Sequence, residues 1–191
     1  MDSAQDGADL TGKLLVAMPG MGDPRFEKSV IYLCTHSEEG AMGLIVNKPA
    51  ADLSFPDLLN QLEIAAGPKI SPANVYFGGP VDHGRGFVLH SADYTDNDST
   101  LAVDTTFAMT ATLDILQDMA QGQGPARAIL ALGYSGWGAG QLDREITENG
   151  WLTCDATAEL VFGAEDDTKW TGALATLGID AMSLSAAAGR A

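Results

Sequence analysis

The chain has 191 residues, 46% of them hydrophobic, which suits a single globular domain with a substantial core. Its 26 acidic side chains outnumber 10 basic ones, and the formal net charge of -16 opposes binding to nucleic acid phosphates and to anionic lipid. No Lys or Arg lies between Arg85 and Arg127, so this stretch offers no basic face for direct DNA binding.

The N-terminus, MDSAQDGADL, is polar and acidic, so we expect residues 1–10 to form a flexible leader ahead of one domain over residues 11–191. A signal peptide would need a positive start and an apolar run, and no stretch of the chain has 18 consecutive apolar residues. A chain with this much core does not need a disulfide, so Cys34 and Cys154 are expected to be reduced. These features predict a cytoplasmic protein.

Short apolar runs bounded by glycine, proline and polar residues predict most of the strands. The first three are KLLVAM at 13–18, SVIYLCTH at 29–36 and AMGLIVN at 41–47, and the link SEEG between the last two is hairpin-sized. VDHG at 81–84 indicates a turn. The later predicted strands are NVYFGGP at 74–80, RGFVLHS at 85–91, TLAVD at 100–104, FAMT at 107–110, ARAILAL at 126–132, GWLTCD at 150–155 and AELVFG at 158–163.

About four short helices are predicted from caps and from helical spacing of apolar residues. In LSFPDLLNQLEI at 53–64, Ser54 and Asp57 have the spacing of a capping box. A second helix follows Thr110 and stops at Gly122, and a third covers residues 138–148. A fourth carries Trp170, Leu174 and Leu177, is capped by Asp166 or Asp167, and ends at Gly178.

The order of these elements shows neither regular alternation of strand and helix nor a fixed repeat. A doubly wound parallel sheet and a solenoid are therefore disfavoured. We predict one α+β domain with a largely antiparallel, barrel-like sheet.

A hydrolase nucleophile is one interpretation of ALGYSGWGAGQLDREI at 131–146, because Ser135 follows a buried strand and precedes a helix. The G-x-S-x-G motif is not met, since Trp137 stands in place of the second glycine, and every histidine precedes the serine. The favoured interpretation is that small residues here let the chain turn tightly.

Thiol chemistry is a second interpretation, because Cys34 and His36 share one face of a predicted strand. A buried structural cysteine is the favoured alternative. The cysteines and the histidines His36, His83 and His90 lack any tight metal-ligand spacing, so no metal is expected. The aspartates at 93, 96, 98 and 104 lack a calcium-loop spacing and indicate a solvated loop.

Several longer blocks occur in one order along the chain: MPGMGDPRFEKSVIYLCTHSEEGAMGLIVNKP, FGGPV with GRGFVLH, ALGYSGWGAGQLDREI with WL, and LGID through SLSAAAGRA. In these blocks the sequence resembles the YqgE/AlgH family of bacterial proteins, from about Leu14 to Ala191. The resemblance implies a compact α+β fold whose strongly bent sheet closes into a pseudo-barrel. It implies no established catalytic site or DNA-binding motif, although one branch carries a transcriptional-regulator label derived from alginate control.

The residues that match the family's motifs fall mainly in predicted turns at strand ends, where binding residues tend to lie. If the turns converge, Arg25, Lys48 and Arg85 form a basic patch with Trp137 as an apolar anchor. The alternative is that these residues only build turns and ion pairs. The candidate binding residues are Asp23, Pro24, Arg25, Asn47, Lys48, Pro49, Gly78, Gly79, Pro80, Arg85, Trp137 and Gln141, and Phe26 belongs to the same motif.

The sequence thus predicts a non-enzymatic, cytosolic binding module that acts indirectly in regulation through this loop patch. Its partner would be a protein or a small anion, with no cofactor, membrane or direct nucleic acid contact, and the chain would be a monomer or a weak dimer. An enzyme using Ser135 or Cys34 with His36 is the alternative, and a direct transcriptional regulator is a distant one.

Overall fold

A computed structural model describes residues 9–20, 23–50, 52–70, 73–94, 100–163 and 165–180, so most of the predicted leader and the end of the last family block lie outside the described residues. The strands are β1 (Lys13–Ala17), β2 (Val30–Ser37), β3 (Gly40–Ile45), β4 (Asn74–Phe77), β5 (Val81–Ser91), β6 (Thr100–Ala102), β7 (Phe107–Thr110), β8 (Ala128–Trp137) and β9 (Trp151–Asp155). The helices are α1 (Phe55–Gln61), α2 (Leu113–Ala120), α3 (Gln141–Thr147) and α4 (Lys169–Thr176). No helix in these ranges has the length and apolarity to span a bilayer.

The nine strands form one sheet in the order β6-β7-β5-β8-β3-β2-β1-β9, with β4 paired to β8 off this path. All pairs are antiparallel except β4 with β8. The first half of β8 lies between β4 and β5, and its last three residues pair with β3. This long strand therefore joins the two halves of the sheet.

The sheet is strongly bent around a central core. Val16 of β1 and Phe107 of β7 belong to the same buried cluster although five steps of the strand order separate their strands. A flat sheet would hold such strands far apart, because neighbouring strands are spaced by about 4.8 Å. Trp170 and Leu174 of α4 pack into the same cluster. The predicted α+β fold, with a bent and largely antiparallel sheet that closes into a pseudo-barrel, is confirmed.

Both faces of the first strands are buried, which explains their continuous apolar sequences. Leu14 of β1 faces the central core, whereas Leu15 packs with Leu142 of α3 on the opposite face. The helices α1 and α2 cover the other half of the sheet through a third cluster. The predicted capping box of α1 forms: Ser54 Oγ accepts the Asp57 N–H at 3.2 Å and Asp57 Oδ2 accepts the Ser54 N–H at 3.1 Å.

Two local predictions near the C-terminal end are wrong. AELVFG is a π-helical turn, Glu159–Gly163, and not a strand. The reason is Thr157, whose hydroxyl accepts the Leu160 N–H and whose carbonyl accepts the Val161 N–H, so that a helical turn starts before a strand can form. The predicted cap residues of α4 instead form a 3-10 turn, Asp166–Thr168, directly before that helix.

The predicted turn at VDHG lies within β5, which begins at Val81. Val81 pairs with Tyr134 and Gly86 pairs with Leu132, so five steps along β5 face only two steps along β8. The extra residues form a bulge in the strand. The prediction of a turn between two strands at VDHG is therefore wrong, because these residues bend β5 and do not end it.

Candidate functional site

The segment between β1 and β2 makes a tight turn at Asp23. The Asp23 carboxylate accepts the Arg25 N–H at 3.0 Å, and the Asp23 carbonyl accepts the Phe26 N–H at 3.0 Å. An Asp side chain that bonds the backbone two residues on stabilises such turns. Pro24 lies exposed at the tip. The turn places the ring of Phe26 against Trp151 of β9, edge to face, with 5.7 Å between the ring centroids.

Asn47 and Lys48 follow β3 and hold this loop from behind. The side-chain oxygen of Asn47 accepts the N–H of the first residue of β2 at 3.0 Å. Its side-chain nitrogen donates at 2.8 Å to the carbonyl of the residue two positions before β2. Lys48 Nζ donates to the carbonyl of Arg25 at 2.8 Å, and burial lowers the pKa of Lys48. The backbone of Pro49 forms an antiparallel bridge to Tyr76. These three residues position the loop and its neighbour β4.

Gly78, Gly79 and Gly133, here called the glycine junction, let three backbone segments meet. The Gly78 carbonyl accepts the N–H of Ile45 at 2.9 Å. A Cβ on Gly79 would overlap the backbone carbonyl group of Tyr134, and a Cβ on Gly133 would lie 2.7 Å from the Gly79 oxygen. Gly133 also has a φ of +74°, which favours glycine. The junction is therefore a contact that side chains would prevent.

Ser135 lies inside β8, which corrects the prediction that the strand breaks into a turn around it. It pairs with Gly43 of β3 and is fully buried. Its Oγ donates to the Gly78 carbonyl at 3.3 Å. A nucleophile needs a base within about 3 Å, and this hydroxyl is bonded to backbone instead. The small side chain suits the crowded glycine junction, so only the steric part of the favoured interpretation fits the structure.

Cys34 and His36 have separate partners although both lie on β2. Cys34 Sγ is in the central core, 4.0 Å from the carbonyl oxygen of Tyr32, and burial raises the pKa of the thiol to about 12. His36 Nδ1 accepts the N–H of Leu10 at 3.0 Å, and its Nε2 lies 3.2 Å from Asp143 Oδ1. The geometry supports structural roles for both residues.

The other histidines are also held by separate contacts. His90 is buried, and its ring nitrogens lie 2.8 Å from a serine carbonyl and from a threonine hydroxyl. The ring of His83 packs on Phe77. Within the described ranges, no three His, Cys, Asp or Glu side chains are grouped to hold a metal ion. Asp96 and Asp98 of the predicted solvated loop lie outside those ranges.

A cleft of about 500 Å³, here called the tryptophan cleft, lies between the Asp23 turn, the start of β5, the end of β8 and α3. Trp137 and Trp151 form its floor, edge to face, with 6.0 Å between the ring centroids. The two tryptophans are 7% and 2% exposed, so the polar walls provide most of the cleft surface that solvent can reach. Its lining residues are Asp23, Arg25, Phe26, Pro80, Val81, Gly136, Trp137, Gln141, Glu145 and Trp151.

Glu145 is the centre of the hydrogen bonds in the tryptophan cleft. Its Oε1 accepts both indole N–H groups, at 3.2 Å from Trp137 and 3.0 Å from Trp151. Its Oε2 accepts the amide of Gln141 at 2.9 Å, while the Gln141 oxygen accepts the N–H of Gly138. All three donors to the carboxylate are neutral. Among the described residues, no cation forms a salt bridge with Glu145.

In the described part of the chain, Arg25 is the one cation that lines the tryptophan cleft, and it is already paired. Arg25 Nη2 lies 2.8 Å from Asp23 Oδ2, and Arg25 Nε lies 3.1 Å from Oδ1. The hydrogen bond from Arg25 lowers the pKa of Asp23, and the carboxylate raises the pKa of Arg25. The lining therefore holds one closed ion pair and one carboxylate whose charge is not balanced by a neighbouring cation.

Arg85 lies apart from this cleft. It lines a second cleft together with Leu58 and Leu116, and its guanidinium carbon sits 5.0 Å from the ring centroid of Phe87. The structure therefore brings Arg25 and Lys48 together, and it places Arg85 beside a different set of side chains.

Comparison with known proteins gives the family. A family model described as DUF179, AlgH-like, matches residues 14–182. The chain belongs to the AlgH-like family. A UPF0301 protein of Ruegeria pomeroyi is 64% identical over 96% of this chain and all of the relative, and one of Cereibacter sphaeroides is 55% identical over the same shares. The resemblance to the YqgE/AlgH family inferred from the sequence is confirmed.

Solved structures agree with the fold. The solution structure of the AlgH protein from Pseudomonas aeruginosa has a TM-score of 0.75 and 39% identity, and the match covers 94% of this chain and 95% of that one. The crystal structure of protein DIP2367 from Corynebacterium diphtheriae has a TM-score of 0.69 at 21% identity, over 91% and 90% of the two chains. The second likeness concerns the fold alone.

Sequence reasoning missed four lining residues of the tryptophan cleft, namely Val81, Gly136, Glu145 and Trp151. A signal for one of them was present. Gln141 and Glu145 are four residues apart on a predicted helix, so they share a face, and Gln141 was already a candidate. The sequence gives no comparable signal for Trp151, because an edge-to-face contact across strands depends on the bent sheet.

Proposed function

We propose that this protein is a non-enzymatic, cytosolic binding module whose tryptophan cleft receives a basic side chain of a protein partner. It acts indirectly in regulation, by occupying that partner. The Glu145 carboxylate carries the proposal, because two buried indoles fix it in an open cleft and no cation of the described ranges forms a salt bridge with it.

The fixed position of Glu145 is what makes it suited to binding. Two indole N–H groups occupy Oε1 and one amide occupies Oε2, so a lone pair on Oε2 can accept a further donor. An ammonium or guanidinium group would form charge-assisted hydrogen bonds with it. The half-buried ring of Phe26 adds apolar surface for the aliphatic stem of Lys or Arg.

Charge favours a basic protein segment over a small anion at this cleft. The guanidinium of Arg25 already pairs with Asp23, and Lys48 donates to a backbone carbonyl, so an anion would have to compete with these partners. The net charge of -16 also attracts basic partners over distances of about a Debye length and repels acidic ones.

The enzyme alternatives are less well supported by the geometry. Ser135 donates to backbone inside a buried strand, and the Cys34 thiol is buried away from His36. Direct DNA binding is disfavoured by the same acidic charge that favours a basic protein partner.

Affinity capture with three versions of the protein tests the proposal. Glu145→Gln keeps the shape of the side chain and removes its charge, and Glu148→Gln makes the same change at an exposed site one residue beyond α3. The expected result is a specific protein retained by wild type and by Glu148→Gln, and lost with Glu145→Gln. Changing a basic residue of that partner to Gln should abolish capture as well. Equal capture by all three versions would contradict the proposal.

A further inference from the structure

The second cleft, here called the leucine cleft, lies between α1, α2, β5 and β8 and has a volume of about 210 Å³. Its floor belongs to the sheet, where Val88 of β5 pairs with Leu130 on one side and with Thr110 on the other. Leucines of the two helices and their ends form the walls: Leu58, Leu62, Leu113 and Leu116. The cleft is therefore an apolar groove between two helices.

Two of the wall leucines are exposed to solvent. Leu113 is 53% exposed and Leu62 is 39% exposed. Only five large apolar side chains of the described residues are exposed to this degree, so two beside one cleft form a patch. Scattered apolar residues on a surface are ordinary, whereas grouped ones indicate a binding surface.

The two helices beside the leucine cleft are acidic. Residues 52–66 and 110–124, which contain α1 and α2, hold five acidic side chains and no Lys or Arg. The acidic residues are Asp52, Asp57, Glu63, Asp114 and Asp118. Asp57 and Asp114 are exposed, and each directly adjoins a wall leucine in the sequence. A partner that covers the leucines therefore brings its own charges close to carboxylates.

In the described ranges, Arg85 is the one cationic residue that lines the leucine cleft, and its charge lies on the other side of β5. The guanidinium carbon sits 5.0 Å from the ring centroid of Phe87. Phe87 belongs to the central core, whereas Val88 belongs to the cluster under α1 and α2. Successive residues of a strand face opposite sides of a sheet, so Arg85 leaves the acidic side chains to set the charge around the cleft.

Size and backbone pairing indicate what fits the leucine cleft. Pockets for drug-sized ligands are about 300 to 1,000 Å³, so a cleft of about 210 Å³ suits one or two inserted side chains. At Val88 the floor is paired on both sides, which leaves no free edge there for an added strand. A helix needs no backbone bonds from its partner and presents side chains four positions apart on one face.

We propose that the leucine cleft docks an amphipathic α-helix of a protein partner. The helix inserts aliphatic side chains between α1 and α2 and turns Lys or Arg toward the carboxylates beside them. Charge complementarity of this kind speeds association and selects basic helices over acidic ones. The side chains that carry this inference are separate from those of the tryptophan cleft, so it stands independently of the proposed function.

Titration followed by ¹H–¹⁵N NMR tests this surface with designed peptides of about 16 residues, a length at which isolated helices begin to be stable. The first peptide is rich in Ala and Lys and carries two Leu four positions apart, and it should cause saturable shifts at Leu62, Gly84 and Leu113. A second, with Gln for both Leu, should bind at least about tenfold more weakly because it buries no leucine. A third, with Glu for every Lys, should bind at least about threefold more weakly because like charges repel.

Each of these three results can fail separately. Absence of saturable shifts with the first peptide would overturn the proposal. Equal binding of the second would show that the leucines are not the anchors, and equal binding of the third would show that the acidic helices do not select a basic partner. Either result would also overturn it.

Variants of the protein show where the peptide binds. Leu113→Gln should weaken binding about fivefold, and Leu62→Gln gives a second test of the same wall. Leu177→Gln is the control, because this leucine is 39% exposed at the end of α4 and lies outside the cleft. All three side chains are exposed, so the variants are expected to fold, and the unchanged part of the NMR spectrum checks this. Wild-type affinity in both wall variants would overturn the assignment.

Glu145→Gln separates this inference from the proposed function. The variant should keep the shifts at Leu62 and Leu113, whatever happens at the indole N–H signals of the tryptophan cleft. Loss of the shifts at these leucines in Glu145→Gln would overturn the inference, because the peptide would then be held in the tryptophan cleft. Shifts of the same leucines that depend on protein concentration without any peptide would overturn it in favour of a second copy of this chain.

Discussion

The glycine junction and the tryptophan cleft look alike in the sequence, since both come from turn-rich motifs at strand ends. In the structure they differ in kind. At the junction the absence of side chains lets the backbones around Gly79 and Tyr134 touch. In the cleft the side chains of Glu145, Trp137 and Gln141 form a hydrogen-bonded group open to solvent. Glycine-rich motifs can therefore be scaffold while a neighbouring motif of the same family lines an open polar cleft.

This difference predicts opposite effects of substitution in the two regions. Changes at the junction should reduce stability and leave binding unaffected in any protein that still folds. Changes at the walls of the cleft should alter binding at little cost in stability.

The largest effect is expected for Gly79→Ala. The added Cβ would overlap the Tyr134 carbonyl group, which is backbone and cannot rotate away, so the free energy of unfolding should fall by at least about 3 kcal/mol. Urea unfolding measures this. Gly84→Ala is the matched control, because no atom lies within 4 Å of its added Cβ, and its change should stay within about 0.5 kcal/mol. A mild effect of Gly79→Ala would show that the junction is not tightly packed.

Substitution at the floor of the tryptophan cleft should lower the free energy of unfolding by an amount between those expected for the glycine junction and for the cleft walls. Glu145→Ala leaves the indole N–H groups of Trp137 and Trp151 without their acceptor, and an unpaired buried donor costs about 1 to 3 kcal/mol. We therefore expect a loss of about 2 kcal/mol in the free energy of unfolding. The exposed Glu148→Ala should change it by less than about 0.5 kcal/mol. Equal values for the two variants would mean that the indoles are satisfied by water.

As the pH falls, the sheet should lose stability before the rim of the tryptophan cleft, where Arg25 pairs with Asp23, is affected. Burial lowers the pKa of His90, so the unfolded chain binds this proton more readily than the folded one. Stability is then full above the ordinary His pKa of about 6.5 and declines as the pH falls from there to the lowered folded value. Urea unfolding between pH 5 and 8 should show this decline in wild type and a smaller one in His90→Gln. The same slope in both would assign the decline to other groups.

The smallest effect on stability is expected at the rim. The ion pair of Arg25 with Asp23 is largely exposed, so Arg25→Ala should change the free energy of unfolding by less than about 0.5 kcal/mol. The substitution also frees the Asp23 carboxylate, which should strengthen binding of a basic peptide. Thermal unfolding and peptide titration check the two parts, and weaker binding would indicate that Arg25 itself contacts the ligand.

Local sequence signals predicted much of the fold. The capping box of Ser54 and Asp57, the hairpin after β2 and the four α-helices all depend on residues close together in the chain. Other local predictions were wrong. Thr157 starts a π-helical turn where residues typical of strands indicated a strand.

The candidate site could be predicted only in part. Arg25 and Trp137 came from motifs, but their meeting depends on the bend of the sheet, which periodicity does not reveal. For the same reason the sequence could not show that Arg85 lies in another cleft. A glycine can leave space for a ligand or let two backbone segments touch. Which of these it does depends on the segment that lies against it in the fold, as at Gly79.

The central claim is that the Glu145 carboxylate accepts a cationic group. The indole N–H signals of Trp137 and Trp151 in a ¹H–¹⁵N NMR spectrum report on it directly, since both groups donate to that carboxylate. Titration with acetyl-lysine-methylamide should shift both signals saturably, while the neutral acetyl-norleucine-methylamide should not, and Glu145→Gln should abolish the response. Signals that stay unchanged with the lysine compound, or that shift equally with the neutral one, would contradict the account.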